Sequence, residues 1–400
     1  QLELEAGRSY AMRLEYSSQG TTLLAAVRLG YLPPLSADSI ERAVALAARS
    51  DVALVFVGSN GDWESEGFDR PDMELVGRQN DLVERVAEAN PNTIVVVQTG
   101  SPITMPWFDK VAAVLQAWFP GQECGNAIAD VLFGDVTPSG KLPQTFPVRL
   151  EDNPAYLNYP GEHGHVRYGE GIFVGYRYYE KKRVEPRFPF GFGLSYTTFA
   201  YGDLRLSAST LAPDGTLTAS IDITNTGERP GQEIVQLYVR DVAASVMRPE
   251  KELKGFAKLA LQPGETQTAT FSIGREALAF WDDSKHCWVA EAGAFELLAG
   301  AASNDIRARA TFELSASVEF GGPPRMATRY TLDTPIKVLL ADPAAAAVIE
   351  QHLPGMTEKA AVAITMNFSL AQAADFSPEQ LTSERLQVVA AALAALKGEA

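Results

Sequence analysis

The residues best suited to chemistry are three carboxylates in one short segment. Glu64, Glu66 and Asp69 all lie within Trp63–Arg70, which reads WESEGFDR. Two carboxyl groups on either side of a glycosidic bond suffice for its hydrolysis, one as proton donor and one as nucleophile or base, with no metal or cofactor. This segment could supply one of the two. The alternative is a solvated acidic loop, because Asp and Glu are common on protein surfaces.

Aromatic side chains stand among these charges. Trp63 and Phe68 flank the two glutamates. An exposed aromatic ring is costly in water unless it meets a ligand or a partner, and sugar rings have apolar faces that stack on such rings. The aromatic residues therefore favour a carbohydrate site over a merely solvated loop.

A buried strand is predicted directly before this segment. Residues 52–57 (VALVFV) form an unbroken apolar run that is too short for a helix and ends at Gly58-Ser59-Asn60-Gly61. Such a run is typical of a central strand buried on both faces. Ser36 is the predicted N-cap of the preceding helix. The carboxylates thus fall in a loop after a rigid strand, where α/β proteins place their chemistry.

The segment and the motifs that follow it in the same order resemble glycoside hydrolase family 3 β-glucosidases. The resemblance covers about residues 36–315. Its motifs are Trp63–Arg70, Met73–Leu75, Gly77–Gln79, Gly100–Pro102, Trp118–Gln122, Phe133–Asp135, Pro138–Pro143, Phe188–Tyr196, Glu252–Phe256 and Leu278–Asp282.

The resemblance implies roles for the residues of the segment. Glu66 immediately precedes the glycine of the family's Glu-Gly-aromatic-Asp-Arg pattern, which implies that it is the general acid/base; Glu64 is the fallback assignment. Asp69 and Arg70 are implied to fix the loop or to tune Glu66. Together with Trp63 and Phe68 they form the expected substrate-binding or loop-supporting set.

The activity implied by the resemblance is that of a retaining, exo-acting β-glucosidase. It would hydrolyse terminal β-glucosyl residues of small β-glucosides or oligosaccharides and need no cofactor. A periplasmic or extracellular location is also favoured by the resemblance.

The chain departs from the family at the nucleophile. The family's nucleophile is an Asp in a Ser-Asp-Trp-type motif on an N-terminal (β/α)8 barrel, and this sequence has no such motif. A barrel takes roughly 250 residues of alternating strands and helices, for which there is no room. We therefore expect the chain to be the C-terminal portion of an enzyme, to have the barrel portion as its partner, and to be inactive alone.

The rest of the chain divides into five predicted regions. The predicted fold is an α/β sandwich with a mostly parallel sheet, followed by a fibronectin-III-like β-sandwich and a small helical tail. The regions are 1–35, with two or three antiparallel strands that resemble the end of a PA14 module; 36–147, the α/β sandwich; 148–199, an irregular connection rich in Tyr, Pro and Gly; 200–316, the fibronectin-III-like domain; and 326–400, the helical tail.

The predicted tail contains Ala-rich helices near residues 343–352, 368–374 and 378–396. Leu381, Leu386, Val389 and Leu393 lie on one face of the last helix. This tail either covers another domain or dimerises the protein.

Composition argues against several classes of partner. A formal net charge of −16 disfavours nucleic acid and anionic membranes, and no segment approaches the ~20 apolar residues of a membrane span. The four histidines lack metal-binding spacing, so no metal is expected. Cys124 and Cys287 are interpreted as small buried residues.

Other residues that could suggest chemistry receive structural interpretations. Ser101 is assigned to a turn rather than to a nucleophile, because no elbow motif surrounds it. Trp107 and Trp118 are assigned to a core rather than to sugar stacking. Glu170, between two glycines, is assigned a structural role.

A rival function uses the same domains without catalysis. A carbohydrate-binding or cell-surface module would keep the aromatic residues but have no use for a proton-donating Glu66. A Ser-Asp-Trp motif in a barrel-length upstream region would support the enzyme over the module.

Overall fold

The computed structural model describes residues 7–17, 36–321, 330–356 and 368–396. Its contacts divide into two compact units, which are described separately. One is Leu35–Phe320, and the other joins Gln1–Pro34 to Gly321–Ala400.

Helices and strands alternate at first and then segregate. The helices are α1 Ser39–Ala47, α2 Gln79–Ala89, α3 Cys124–Phe133, α4 Tyr176–Lys182, α5 Arg275–Leu278, α6 Ile336–Ala341, α7 Pro343–His352, α8 Leu370–Phe376 and α9 Ser383–Ala394. The strands are β1 Ala53–Gly58, β2 Thr93–Gln98, β3 Ala113–Gln116, β4 Phe199–Tyr201, β5 Arg205–Leu206, β6 Thr210–Leu211, β7 Leu217–Asn225, β8 Gly231–Asp241, β9 Glu252–Leu261, β10 Thr266–Ile273, β11 Phe280–Asp282, β12 Cys287–Ala290, β13 Gly293–Ala302, β14 Asp305–Leu314 and β15 Val318–Phe320.

The α/β part is built on a parallel sheet with the order β1-β2-β3. Val55 and Val57 of β1 bury their side chains in one core with Val83 and Val86 of α2. This layering of helices on a parallel sheet confirms the predicted α/β fold. Since parallel strands end at the same edge, the loops after β1 and β2 emerge side by side.

Two predictions for this part are wrong. β1 lies at the edge of the sheet rather than at its centre, and Leu54 and Phe56 remain about half exposed, because α1 and α2 cover only one face. Ser36 is not the N-cap: α1 begins at Ser39 after Asp38. The hydroxyl of Ser36 donates to the Asp38 carboxylate instead of accepting from the helix.

The connection over residues 148–199 is largely irregular, with α4 as its one α-helix. Glu170, for which we predict a structural role, accepts a hydrogen bond from Asn158 Nδ2 at 2.8 Å. Phe146 and Phe188 form an isolated bridge that fastens the connection to the α/β part.

Residues 199–320 form mostly antiparallel sheets that enclose one apolar core, with β6 and β14 paired in parallel. One sheet has the order β10-β7-β4, with β5 also paired to β7, and a second is β6-β14-β13-β8-β9. Ile221 and Leu237, one from each sheet, are fully buried in the shared core. The turn between β9 and β10 uses Gly264 at φ +77°, a conformation that favours glycine. This architecture confirms the predicted β-sandwich.

The second unit contains helices α6 to α9, as predicted for the tail. Ile349, Val389 and Leu393 are at most 1% exposed in its core. The last helix begins at Ser383 rather than near residue 378, because Thr382 Oγ1 caps it by accepting from Arg385 N. No helix in the described ranges is both long and apolar enough to span a membrane.

The predicted N-terminal strands are not seen in the part that is described. Residues 7–17 contain no strand, and Tyr10, Met12, Leu14 and Tyr16 are 40–65% exposed. Alternating apolar residues form a strand only when a partner strand is available. The remainder of the predicted strands, in 1–6 and 18–35, lies outside the described residues.

The two cysteines are free, and both are half-buried rather than buried as predicted. Cys124 is the first residue of α3, where its Sγ accepts from Gln98 Nε2 at 3.0 Å. Among the residues described here, His, Cys, Asp and Glu side chains form no group of three that could hold a metal.

Candidate active site

The loop after β1 folds back on itself directly beyond the strand. The Asn60 carbonyl accepts from the amides of both Trp63 and Glu64 at 2.9 Å, and Asn60 Oδ1 accepts from the Asp62 amide at 3.0 Å. Asn is suited to this turn because its side chain can bond to the backbone two residues on. The reversal directs Glu64 back toward the ends of β1 and β2.

Glu64 is held by groups from both loops. Its Oε2 accepts from the Gly100 amide at 2.8 Å and from the Ser59 hydroxyl. Its Oε1 accepts from Arg70 Nη1 at 2.9 Å and from the Ser101 hydroxyl. The side chains of Glu64 and Arg70 are only 11% and 14% exposed.

These contacts keep Glu64 ionised. Burial alone raises the pKa of Glu64, but hydrogen bonds from Ser101, Ser59 and Gly100 and the charge of Arg70 outweigh it, so the pKa lies below its usual value. A general acid must carry a proton near neutral pH. Glu64 therefore fits a structural anion better than a proton donor.

Glu66 has the opposite environment. Ser65 and Phe68 form a bridge, and Ser65 Oγ accepts from the Gly67 amide at 3.1 Å, so that Glu66 and Gly67 form the tip of a tight turn. The Glu66 side chain is exposed and makes no hydrogen bond or ion pair within the described ranges. Of the two glutamates, Glu66 is thus the one free to reach a substrate.

The other expected site residues surround this turn. Phe68 is 47% exposed, whereas Trp63 is half-buried, and its Nε1 is buried without a partner in the part of the chain described. The hydroxyl of Tyr159 bonds to the Asp69 carboxylate, which raises the pKa of Tyr159. Arg70 supports the loop through Glu64 rather than through Glu66.

Sequence reasoning missed several supports of Glu64. Ser101 lies in a turn, as predicted, but its hydroxyl also donates to Glu64 and accepts from Arg70 Nη1 at 2.7 Å. The sequence identifies Ser59 only as part of the segment that ends β1. The available signal was that parallel strands end together, which places Ser59 and Ser101 side by side.

A side chain at Gly100 would crowd two neighbouring side chains. A Cβ added there would lie 2.7 Å from Phe119 Cε2 and 3.4 Å from Glu64 Oε2. The absence of a side chain lets the Gly100 amide reach the carboxylate.

The tryptophans contribute to the core, as predicted. Trp107 is fully buried and donates to Asn80 Oδ1 at 2.8 Å, and Trp118 is half-buried against the same core. Trp118 also has a φ of +57°, which is uncommon for a bulky residue.

A cleft of about 420 Å³ adjoins the Glu64 network. Arg70, Ser101, Thr145, Asn153 and Tyr179 are among the residues that line it. Arg70 Nε and the Thr145 hydroxyl are buried without partners among the described residues. These groups could bind a polar ligand or water.

Two known domain families match the sequence. The glycosyl hydrolase family 3 C-terminal domain matches residues 4–196. The chain belongs to glycosyl hydrolase family 3. A fibronectin type III-like domain also matches residues 233–303. The family 3 match begins in the region for which we predicted a PA14-like module, and that prediction is untested.

Curated relatives of the chain are beta-glucosidases. It is 51% identical over 319 residues to a beta-glucosidase of Rhizobium radiobacter, a match that covers 78% of this chain and 39% of that protein. It is 47% identical over 321 residues to the thermostable beta-glucosidase B of Acetivibrio thermocellus, covering 80% of this chain and 42% of that protein. The chain thus spans about two fifths of the length of these relatives.

Solved structures of beta-glucosidases are similar to this chain. The beta-glucosidase from Kluyveromyces marxianus in complex with glucose matches with a TM-score of 0.70 and 44% identity, over 72% of this chain and 35% of that one. The family 3 beta-glucosidase of Bifidobacterium adolescentis matches with a TM-score of 0.69 and 39% identity, over 80% of this chain and 46% of that one. These family 3 members share the fold that holds the Glu64 network.

Proposed function

We propose that this chain supplies the general acid/base of a retaining exo-acting β-glucosidase, with Glu66 as the proton-transferring residue. Glu66 protonates the bridging oxygen as the glycosidic bond breaks, and it then removes a proton from the water that releases the sugar. Terminal β-glucosyl residues of small glucosides or oligosaccharides are the substrates.

The contrast between the two glutamates carries this assignment. Glu64 has its oxygens occupied by Ser59, Gly100, Ser101 and Arg70, whereas Glu66 stands exposed at the tip of the turn. A proton donor needs an oxygen that is free to contact the substrate. The fallback assignment to Glu64 would require several of these bonds to break at every turnover.

A second carboxylate must come from outside these residues. In a retaining glycosidase the nucleophile and the acid/base lie about 5–5.5 Å apart on opposite sides of the bond. We assign the nucleophile to an Asp on a barrel domain absent from this sequence. On this proposal the 400-residue chain alone has no hydrolase activity.

The decisive experiment is Glu66→Ala in the complete enzyme. Turnover of glucosides with poor leaving groups should collapse, because these need protonation of the leaving oxygen. Activated aryl glucosides should lose less activity, and added azide should partly restore their turnover by replacing the second-step water.

Asp62→Ala is the matched control, since it removes an exposed carboxylate from the same loop. It should retain turnover of both substrate types. Equal activity of Glu66→Ala and wild type would refute the assignment, and so would a loss that is the same for good and poor leaving groups.

A further inference from the structure

Two tryptophans lie side by side on the surface of the β-sandwich. Trp281 of β11 and Trp288 of β12 are direct partners in the antiparallel register, and their ring centres are 5.7 Å apart. The two residues are 37% and 43% exposed, although tryptophan is highly buried on average. Cross-strand pairing explains why the rings touch, but not why so much of both remains in water.

The two rings belong to a row of aromatic residues across the three-stranded sheet β11-β12-β15. The planes of Trp281 and Trp288 meet at 75°, so the pair forms an open corner. Phe320 of β15 is the partner of Trp288 on the other side, and the Arg275 guanidinium lies 4.7 Å from the centre of its ring. Neighbouring strands lie about 4.8 Å apart, so the row spans about 10 Å. It offers two open indole rings, followed by a third ring that a cation covers.

Exposed carboxylates adjoin the Phe320 end of this row. Arg275 Nη1 lies 2.6 Å from Asp214 Oδ1, and Arg275 Nε lies 3.3 Å from Glu276 Oε1. The side chains of Asp214 and Glu276 are 86% and 69% exposed. A carboxylate has several lone pairs, so each can hold Arg275 and still accept a hydrogen bond from a ligand.

The turn that joins β11 to β12 is fixed by hydrogen bonds. Asp282 Oδ1 accepts from the amide of Ser284 at 2.9 Å and from the amide of Lys285 at 3.2 Å. Lys285 Nζ in turn lies 2.5 Å from Glu319 Oε1 on β15. The strands that carry the tryptophans are therefore tied together, and a site that is ordered in advance loses little conformational entropy on binding.

These features fit a sugar better than other ligands that stack on tryptophan. A sugar ring has an apolar face for stacking and hydroxyls that both donate and accept hydrogen bonds. A nucleic acid would bring its phosphates close to Asp214 and Glu276 in a chain with a net charge of −16. A protein partner typically buries about 800 Å² on each side, whereas the other apolar residues of β11, β12 and β15 are buried or half-buried.

We propose that Trp281 and Trp288 form a carbohydrate-binding site on the β-sandwich for a chain of β-linked glucose. One indole stacks on the apolar face of a glucosyl unit and the other closes the corner. The carboxylates of Asp214 and Glu276 accept hydrogen bonds from hydroxyls further along the chain. The choice of sugar rests on the proposed function, but binding at this site needs no catalysis. A substrate held here would stay near the enzyme between cleavage events.

The test observes each of the five tryptophans of the 400-residue chain separately. The chain is labelled with fluorotryptophan, its fluorine NMR signals are assigned with single Trp→Phe variants, and cellopentaose is added. We expect the signals of Trp281 and Trp288 to shift together and to saturate, while that of the fully buried Trp107 stays in place. Maltopentaose should bind at least fivefold more weakly, because α-linkages curve the chain away from a flat row.

Trp288→Leu removes one ring but keeps an apolar side chain on β12. It should weaken cellopentaose binding by about fivefold or more, with the thermal midpoint measured alongside to confirm folding. Phe256→Leu is the matched control, since Phe256 is a 70% exposed aromatic residue on β9 of the same sandwich, and it should bind like wild type. Glu66→Ala should also bind like wild type, so this proposal and the catalytic one can fail independently.

Three results would overturn the proposal. Trp63 could be the only tryptophan whose signal shifts, which would place the sugar at the loop after β1. A folded Trp288→Leu could bind cellopentaose as tightly as wild type. Sorbitol, which has hydroxyls but no ring face, could shift the Trp281 and Trp288 signals as strongly as cellopentaose does.

Discussion

Glu64→Gln tests whether Glu64 holds the loop together. Each Glu64 oxygen accepts two hydrogen bonds, so a glutamine amide group must face two donors whichever way it is turned. The hydroxyls of Ser59 and Ser101 can rotate to accept, but the Gly100 amide and Arg70 can only donate. A hydrogen bond to a charged group contributes about 1.5–3 kcal/mol. We expect the closed loop to lose about 3 kcal/mol.

Hydrogen–deuterium exchange at the Gly100 amide measures this loss directly, because that amide donates to Glu64 at 2.8 Å. A loss of about 3 kcal/mol corresponds to roughly 100-fold faster exchange when opening is fast and reversible. Glu66→Gln is the control, since it removes a charge two residues away that the network does not use. Unchanged exchange in Glu64→Gln, or equal acceleration in both variants, would refute the reasoning.

Two further predictions concern packing and charge. Gly100→Ala places a Cβ 2.7 Å from Phe119, so it should destabilise the α/β part by about 1–3 kcal/mol in calorimetry, whereas Gly140→Ala, which meets nothing within 4 Å, should not. A hydrogen bond from Arg205 lowers the pKa of Asp222 to about 2, below the value of about 3.9 in unfolded chains. This stabilisation should be present above about pH 4 and lost as the pH falls toward 2; an NMR titration that gives Asp222 an ordinary pKa would contradict it.

The fold could be predicted from the sequence where periodicity is local. The apolar run of β1 and the apolar face of the last helix both indicate their elements without knowledge of any partner. The predictions that failed depended on neighbouring elements of the fold. The central position assigned to β1 was wrong. An apolar run indicates burial on both faces, but it does not show which neighbouring elements cover the strand.

The candidate site was predictable in part for the same reason. Residue types and family resemblance single out the pair Glu64 and Glu66, but they cannot show which of the two carboxylates is held by hydrogen bonds. That distinction depends on Gly100 and Ser101, which lie more than thirty residues further along the sequence and arrive through the parallel pairing of β1 with β2. The local sequence does not reveal the role of Ser101, because a serine in a turn and a serine that anchors a carboxylate have the same sequence context.

The division between the two glutamates follows from the geometry of a loop at the end of an edge strand. A turn that projects from a sheet needs an anchor, and a buried anion paired with Arg70 supplies one without adding net charge. Because Glu64 serves as this anchor, the carboxylate that projects from the loop is that of Glu66 at the tip of the turn. The proposed proton transfer by Glu66 therefore depends on the anchor that Glu64 provides for the loop.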